Sequence, residues 1–321
     1  MEVKPRETPD QMLHTEALDR RLDENHKSKR KVHKKAKTLR KGFQGEESLH
    51  FILGFLEEDK YHILHNLRLK DVFGFFQIDT LILSAQLNLI TEVKNFFGTI
   101  TYDGMGQTIR TANDKEEGFK NHVEQVRMQH LRLLRWLRQF DLPPIPLEKL
   151  VVYSDPGTII KNITNDPAIT NTVIHKENLL TKINQFNAIH QSKILSDEQL
   201  RKLSYELIAA HTPEDVDVMK LYEVSKDDIK PGVICPSCNA MPMSRIYGKW
   251  KCEQCGTESK DAHIAALKDY CILIGNTINN REAREFLMLD SIYITKKLLQ
   301  KEQFTQIGST SGRKYILEFQ N

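Results

Sequence analysis

The 321-residue chain contains no apolar run near the roughly 18 residues that span a bilayer. Nor does it open with the charged-then-apolar pattern of a secretory leader. Both absences argue against a membrane partner and for the cytoplasm. Cysteine is scarce: there are five, and four of them sit in two CxxC pairs. That excludes a disulfide framework and points to metal in a reducing compartment. A phosphate-cradling loop is missing too. Asp103-Gly104-Met105-Gly106-Gln107 has the glycines but neither the lysine nor the following helix of a P-loop. Acid is missing from Lys27 to Lys41, which carries nine Lys or Arg, so the net charge of +3 leaves 3 − 9 = −6 elsewhere. This basic block either binds an anion, with phosphate backbone the natural one, or forms a solvated leader. No large apolar face accompanies it, which disfavours a membrane surface.

The length suggests two or three domains. Composition divides the chain into a basic helical or disordered leader (1–42), an α/β domain (43–212), an acidic linker (213–230), a cysteine module (231–259) and a C-terminal segment (260–321). Periodicity predicts an amphipathic helix after Gly45, with Glu46 in its first turn, and a strand over Tyr61–Lys70. Further strands are expected at Gly98–Tyr102 (paired after Lys94), Leu147–Ser154 and Asn171–His175. Helices are expected at Asn121–Phe140, Lys176–His190 and Ser196–Ala210. Asp71–Phe75 and Asp114–Gly118 read as loops.

What is present, and organises the rest, is Phe76 to Gly98. Gln77–Leu83 and Leu89–Lys94 read as two apolar strands around a turn at Ser84–Asn88. Alternation puts Glu92 and Lys94 on one face, and a hairpin brings Asp79 alongside. Two carboxylates and an ammonium on an apolar sheet are costly unless paired or holding a metal.

An acid on one strand followed by Glu-x-Lys on the next is the signature of the PD-(D/E)xK nuclease superfamily. Gly45-Glu46-Glu47, Gln77-Ile78-Asp79, Glu92-Val93-Lys94-Asn95 with Gly98, and Glu124-Gln125 together resemble the nuclease-related domain (NERD) family, over about Gly45 to Gln191. The resemblance implies a restriction-endonuclease-like mixed sheet flanked by helices. It also implies a divalent-metal phosphodiesterase site. Asp79 and Glu92, with the Val93 carbonyl, would hold Mg2+ or Mn2+. Glu46 would stand at the edge of that site, as a further ligand or to orient Lys94. Lys94 would orient or deprotonate the attacking water, and Gln125 would face the site, positioning water or a phosphate oxygen.

Cys235-Pro236-Ser237-Cys238 and Cys252-Glu253-Gln254-Cys255 are thirteen residues apart. Each CxxC is a tight knuckle, and two knuckles give four thiolates to one tetrahedral ion. With a hairpin over Ser244–Lys251, the pattern resembles a zinc ribbon holding structural Zn2+. Arg245, Lys249 and Trp250 at its tip are candidates for nucleic-acid contact. Cys271 reads as a buried apolar residue. Beyond it, helices at Asp261–Gly275, at Asn280–Leu287 (capped by Asn280) and at Ile292–Lys301 precede a hairpin through a Gly308–Gly312 turn. This order resembles a winged-helix module, which would aim Thr295, Lys296 and Lys297 at a major groove and Arg313 and Lys314 at phosphate.

The sequence therefore leads to a cytoplasmic, metal-dependent nuclease acting on DNA, RNA not being excluded. A defence role follows from the resemblance alone, and a second copy or a defence-system partner protein stays open. The alternative is a nucleic-acid-binding or regulatory protein on a nuclease fold that no longer cuts.

Overall fold

The computed structural model describes residues 1–309 and 312–319. In chain order the elements are β1 Glu2–Lys4, α1 Asp10–Arg21, α2 Lys29–Glu47, α3 His50–Leu53, β2 His62–Asp71, β3 Gly74–Leu83, β4 Asn88–Lys94, β5 Thr99–Tyr102, β6 Gln107–Ala112, β7 Lys115–Lys120 and α4 His122–Leu137. Then come β8 Leu147–Tyr153, β9 Ile159–Asn162, α5 Pro167–Thr172, β10 Val173–His175, α6 Leu179–Ile189, α7 Asp197–Ala209, α8 Val218–Leu221, β11 Ser244–Ile246, β12 Lys249–Lys251 and β13 Glu258–Ser259. The chain closes with α9 Ala262–Leu273, β14 Thr277–Asn279, α10 Asn280–Leu287, α11 Ile292–Lys301, β15 Thr305–Ile307 and β16 Lys314–Ile316. Two compact units result: Met1–Thr8 with Thr38–Glu214, and Pro9–Lys37 with Asp215–Asn321. Among the described residues no helix is long and apolar enough to cross a membrane.

The first unit is a mixed α/β domain. Its main sheet runs β1-β2-β3-β4-β8-β10, with β2-β3-β4 antiparallel and the other neighbours parallel. Leu81, Ile90 and Val151 share one core with Val123 and Val126 of α4. On the opposite face Ile82, Leu89 and Val152 pack with Leu49 of the α2–α3 corner and with Leu179 and Ile183 of α6. A β-strand clothed in apolar residues on both faces must be buried on both, and helices on each side achieve that.

The central hairpin forms as the alternation predicts, but pairing stops early. The last β3–β4 pair is Thr80 with Thr91, so the strands fork beyond it, at Asp79 and Glu92. Gly98–Tyr102 does not follow Lys94 into this sheet. Gly98 turns at φ +92°, and its missing Cβ lets the Thr111 carbonyl approach where a Cβ would stand 2.5 Å away. The strand β5 then joins a second sheet, β7-β6-β5-β9. The loop expected at Asp114–Gly118 is most of β7. Asn113 and Asp114, at φ +52° and +58°, supply the two left-handed residues of a tight hairpin turn between β6 and β7.

The helix expected to start after Gly45 ends there instead. Basic residues Lys29–Lys41 and Gly45 form one helix, α2, and Glu46 lies in its last turn. Residues 1–42, expected as a leader, are shared by the two units. Met1–Lys4 adds a strand beside β2, and the Met1 amine donates to the carbonyls of Glu58 and Tyr61.

In the second unit α1 buries Ala17, Leu18 and Arg21. The Arg21 guanidinium donates to Asp269 at 2.9 Å and to the Gly232 carbonyl at 2.6 Å. Val218, Val224 and Ile229, in the stretch expected as a linker, belong to the same core. The three-stranded sheet β11-β12-β13 carries the cysteine knuckles, and Tyr247-Gly248 turns the expected hairpin. After it, α9, β14, α10, α11, β15 and β16 follow in order, with β14-β16-β15 as one sheet. The cap of α10 is Asn279, not Asn280: its side chain accepts from Glu282 N–H, and Glu282 returns the bond to Asn279 N–H. Thr295 is fully buried and donates to the Ser291 carbonyl, so it cannot face outward as expected; Lys296 and Lys297 are exposed. The Gly308–Gly312 turn lies partly outside the described residues.

Candidate active site

Lys94 and Glu92 project from the same face of β4, as period two requires. Lys94 Nζ donates to Glu92 Oε1 at 2.6 Å and to Gln125 Oε1 at 3.0 Å. Gln125 Nε2 donates to the same Glu92 oxygen at 2.6 Å, closing a triangle. The other oxygen, Glu92 Oε2, accepts from Gln129 Nε2 at 2.6 Å. Both glutamines face the sheet because they are four apart on α4, whose start is fixed by Asn121 accepting from Val123 and Glu124 N–H. Asp79 sits at the fork. Its Oδ2 accepts from Val93 N–H at 2.8 Å, a donor freed because β4 no longer pairs with β3 there.

Glu46 arrives from the end of α2. Gly45 makes this possible: a Cβ there would stand 2.5 Å from Asn95 Cβ and 2.9 Å from Ser154 Oγ. The helix end therefore presses against the ends of β4 and β8. A carboxylate in a last turn faces the negative pole of the helix, so Glu46 needs a cation, and it pairs with Arg6. Arg6 also donates to Asn66 Oδ1 and Thr80 Oγ1, both at 3.0 Å, and lies 2.7 Å from His65 Nδ1. Burial and the Arg6 charge push His65 down to about 4, so its imidazole is neutral and Nδ1 can accept from Arg6.

Charge is out of balance here. Three carboxylates, Asp79, Glu92 and Glu46, face two cations, Lys94 and Arg6. Burial, then the charges of Glu92 and Glu46, push the Asp79 carboxyl well above the usual carboxylate range. Burial pushes Glu46 up to about 7; Arg6 pulls the other way, and Glu92 adds to the rise. A divalent cation would take the place of these protons. The donors are all hard oxygens, which fits Mg2+ or Mn2+. Asp79, Glu92 and Glu46 do not gather their oxygens as closely as the cysteines gather their sulfurs. Among the described residues, Cys235, Cys238, Cys252 and Cys255 form the one group of three or more such ligand atoms lying within 4.8 Å of one another.

Cys235 and Cys255 sulfurs are 3.6 Å apart, and those of Cys238 and Cys252 are 3.5 Å apart. Four thiolates on zinc with bonds near 2.3 Å give tetrahedron edges of about 3.8 Å, so the set fits structural Zn2+ and is too open for disulfides. The Thr257 hydroxyl, hydrogen-bonded to Cys255, holds that thiol down at about 6, on the thiolate side at neutral pH. Cys271 stands outside the group, in α9. Trp250, expected at the ribbon tip, is fully buried, with Nε1 donating to His263 Nδ1 at 3.2 Å; Tyr247 is the exposed tip residue.

The structure thus brings Asp79, Glu92, Val93, Lys94, Gln125 and Glu46 to one end of the sheet. Lys94 is oriented by Glu92 and Gln125 and makes no hydrogen bond to Glu46. Sequence reasoning missed Arg6, His65, Thr80 and Gln129. The i, i+4 pair Gln125/Gln129 was a readable signal; Arg6 had none. Residues 41–154 match the model of the nuclease-related domain family. No curated protein and no solved structure matches the chain.

Proposed function

From a chain that carries a nuclease-related domain, we propose a metal-dependent nuclease that hydrolyses DNA phosphodiester bonds in the cytoplasm. The observation that carries this reading is the Lys94–Glu92–Gln125 triangle beside Asp79, at the point where β3 and β4 fork. Asp79 and Glu92, with the Val93 carbonyl, would hold Mg2+ or Mn2+. Bound there, the ion would supply an activated water and neutralise charge developing on the phosphate. Lys94 orients the water and stabilises the transition state, because its ammonium is already fixed by two acceptors. Gln125 holds Lys94 and Glu92 in register. Glu46, gripped by Arg6, adds negative potential at the edge and strengthens cation binding. His65 and Gln129 hold Arg6 and Glu92 in place.

The order of α9 to β16 supports a winged-helix module offering Lys296 and Lys297 to DNA, and the zinc ribbon would brace it. A defence or DNA-processing role, with or without a partner protein, is the setting that suits such a chain. The test is plasmid DNA with Mg2+ or Mn2+. Nicking that disappears in both Asp79→Ala and Lys94→Ala supports the enzyme. One observation favours the second reading, a non-cutting binder: both Glu92 oxygens already hold hydrogen bonds. Tight binding without nicking in any metal supports that reading.

A further inference from the structure

Helix α2 gathers like charge into one stripe. It is a single continuous helix, and from Lys29 to Gly45 it holds no acid. Val32 and Ala36, four apart, are buried and mark its inner side. Arg30, Lys34, Lys37 and Lys41 are spaced four, three and four, so they line up on the opposite side. The first three are exposed and Lys41 is half-buried. The stretch from Arg30 to Gly42 contains no phenylalanine, tyrosine or tryptophan.

This arrangement works against the helix that bears it. Like charges three and four apart repel. The charge order also opposes the helix dipole at both ends. The first turn has Lys29, Arg30 and Lys31 and no acid, and the last has Glu46 and Glu47 and no base. Acids meet the start of the helix, where Asp19 takes Lys29 and His33, and Glu24 takes Lys29. Arg30, Lys37 and Lys41 form no ion pair among the described residues. A bound anion would relieve the repulsion that the fold leaves in place.

The chemistry of the stripe narrows the choice of anion. A lipid surface needs the apolar side of the helix, and Val32 is committed to the core. A second copy of α2 would set like charge against like. Unpaired bases need rings to stack on, and this side has none. A duplex needs none: it presents phosphates at short, regular intervals, at twice the charge density of a single strand. At 1.5 Å per residue the stripe is about 16 Å long, the rise of about five base pairs. We infer that the outer stripe of α2 docks the backbone of duplex DNA. Its lysines act as point charges on phosphate and read no sequence. The choice of DNA among polyanions rests on the nuclease reading, but the test reads binding alone.

The full chain carrying Asp79→Ala is titrated into a labelled duplex of about 20 base pairs, at salt from about 50 to 200 mM. The slope of log affinity against log salt counts the phosphates engaged. Arg30→Gln, Lys34→Gln and Lys37→Gln together should reduce that slope by about 2 to 3 and weaken binding at least tenfold, equally on duplexes of two sequences. The same loss of charge at exposed positions elsewhere, Lys193→Gln with Arg201→Gln and Lys202→Gln, should leave the slope unchanged. Lys34→Arg with Lys37→Arg keeps the charge and should bind as the parent does. The same sequence as a single strand should bind more weakly. A slope that the α2 changes leave intact, an equal fall in both triple variants, or tighter binding of the single strand overturns the inference. So does poly-glutamate that displaces the duplex at equal charge concentration. Failure of the parent chain to nick DNA, with these binding results intact, would sink only the nuclease reading.

Discussion

Arg6 and Glu46 form an ion pair across forty residues of chain, with side chains only 9% and 19% exposed. Removing one partner strands the other in a poorly solvated place. Arg6→Ala should lower the stability of the first unit by about 2 kcal/mol, below the range for fully buried pairs because some solvent reaches Glu46. Urea unfolding checks this, and Arg6→Lys should recover part of the loss.

Glu46 also sets a pH dependence. Its folded-state value of about 7 lies above the ordinary 4.5, so the folded protein holds that proton more tightly than the unfolded chain does. The stabilising contribution is complete below pH 4.5 and is lost as pH rises through about 7. Glu46 therefore contributes a loss of stability over this window in metal-free protein, a contribution that Glu46→Gln should remove. His65, pushed down to about 4, and His122, pushed down by burial to about 3, act in the opposite sense between those values and the ordinary 6.5, inside much of the same window. The comparison of the two proteins isolates Glu46.

Gly45 is the point where α2 meets Asn95 and Ser154. Gly45→Ala forces a Cβ to within 2.5 Å of Asn95 Cβ unless the helix moves. The expected outcome is at least a tenfold fall in nicking rate, since small displacements of a site group cost about that much or more. Zinc content should not change, which atomic emission would verify.

The cysteine group should hold one zinc per chain, lost in Cys235→Ser and in Cys252→Ser. Binding free energy at such sites is folding free energy. Trp250 lies on β12 between the knuckles and is fully buried. In a Trp136→Phe background, chelation should shift the remaining emission to the red, and added zinc should restore it.

Much of this was legible. The central hairpin showed itself because apolar alternation and the Asp79, Glu92, Lys94 spacing agree. The cysteine knuckles showed themselves because thiolate chemistry tolerates few other spacings. Glu46 was found but misplaced: Gly45 reads as a helix start, whereas it is a close approach inside a helix end. The strand β7 was hidden by charge, with four charged residues in six, although Asn113-Asp114 is turn chemistry of the primed kind. Leu18, Arg21 and Val218 were hidden for another reason. Their partners come from distant stretches, so local composition reads as leader and linker. Arg6 is the extreme case, since its role exists only once β1 lies beside β2.

The most direct test is the rate of plasmid nicking against Mg2+ or Mn2+ concentration, for the parent chain and for Lys94→Ala. The account predicts no nicking without metal, a rise that saturates with it, and a fall of at least a hundredfold in Lys94→Ala, the loss of a fixed charge-stabilising group. Nicking that survives Lys94→Ala unchanged, or that proceeds equally well without a divalent ion, would contradict it.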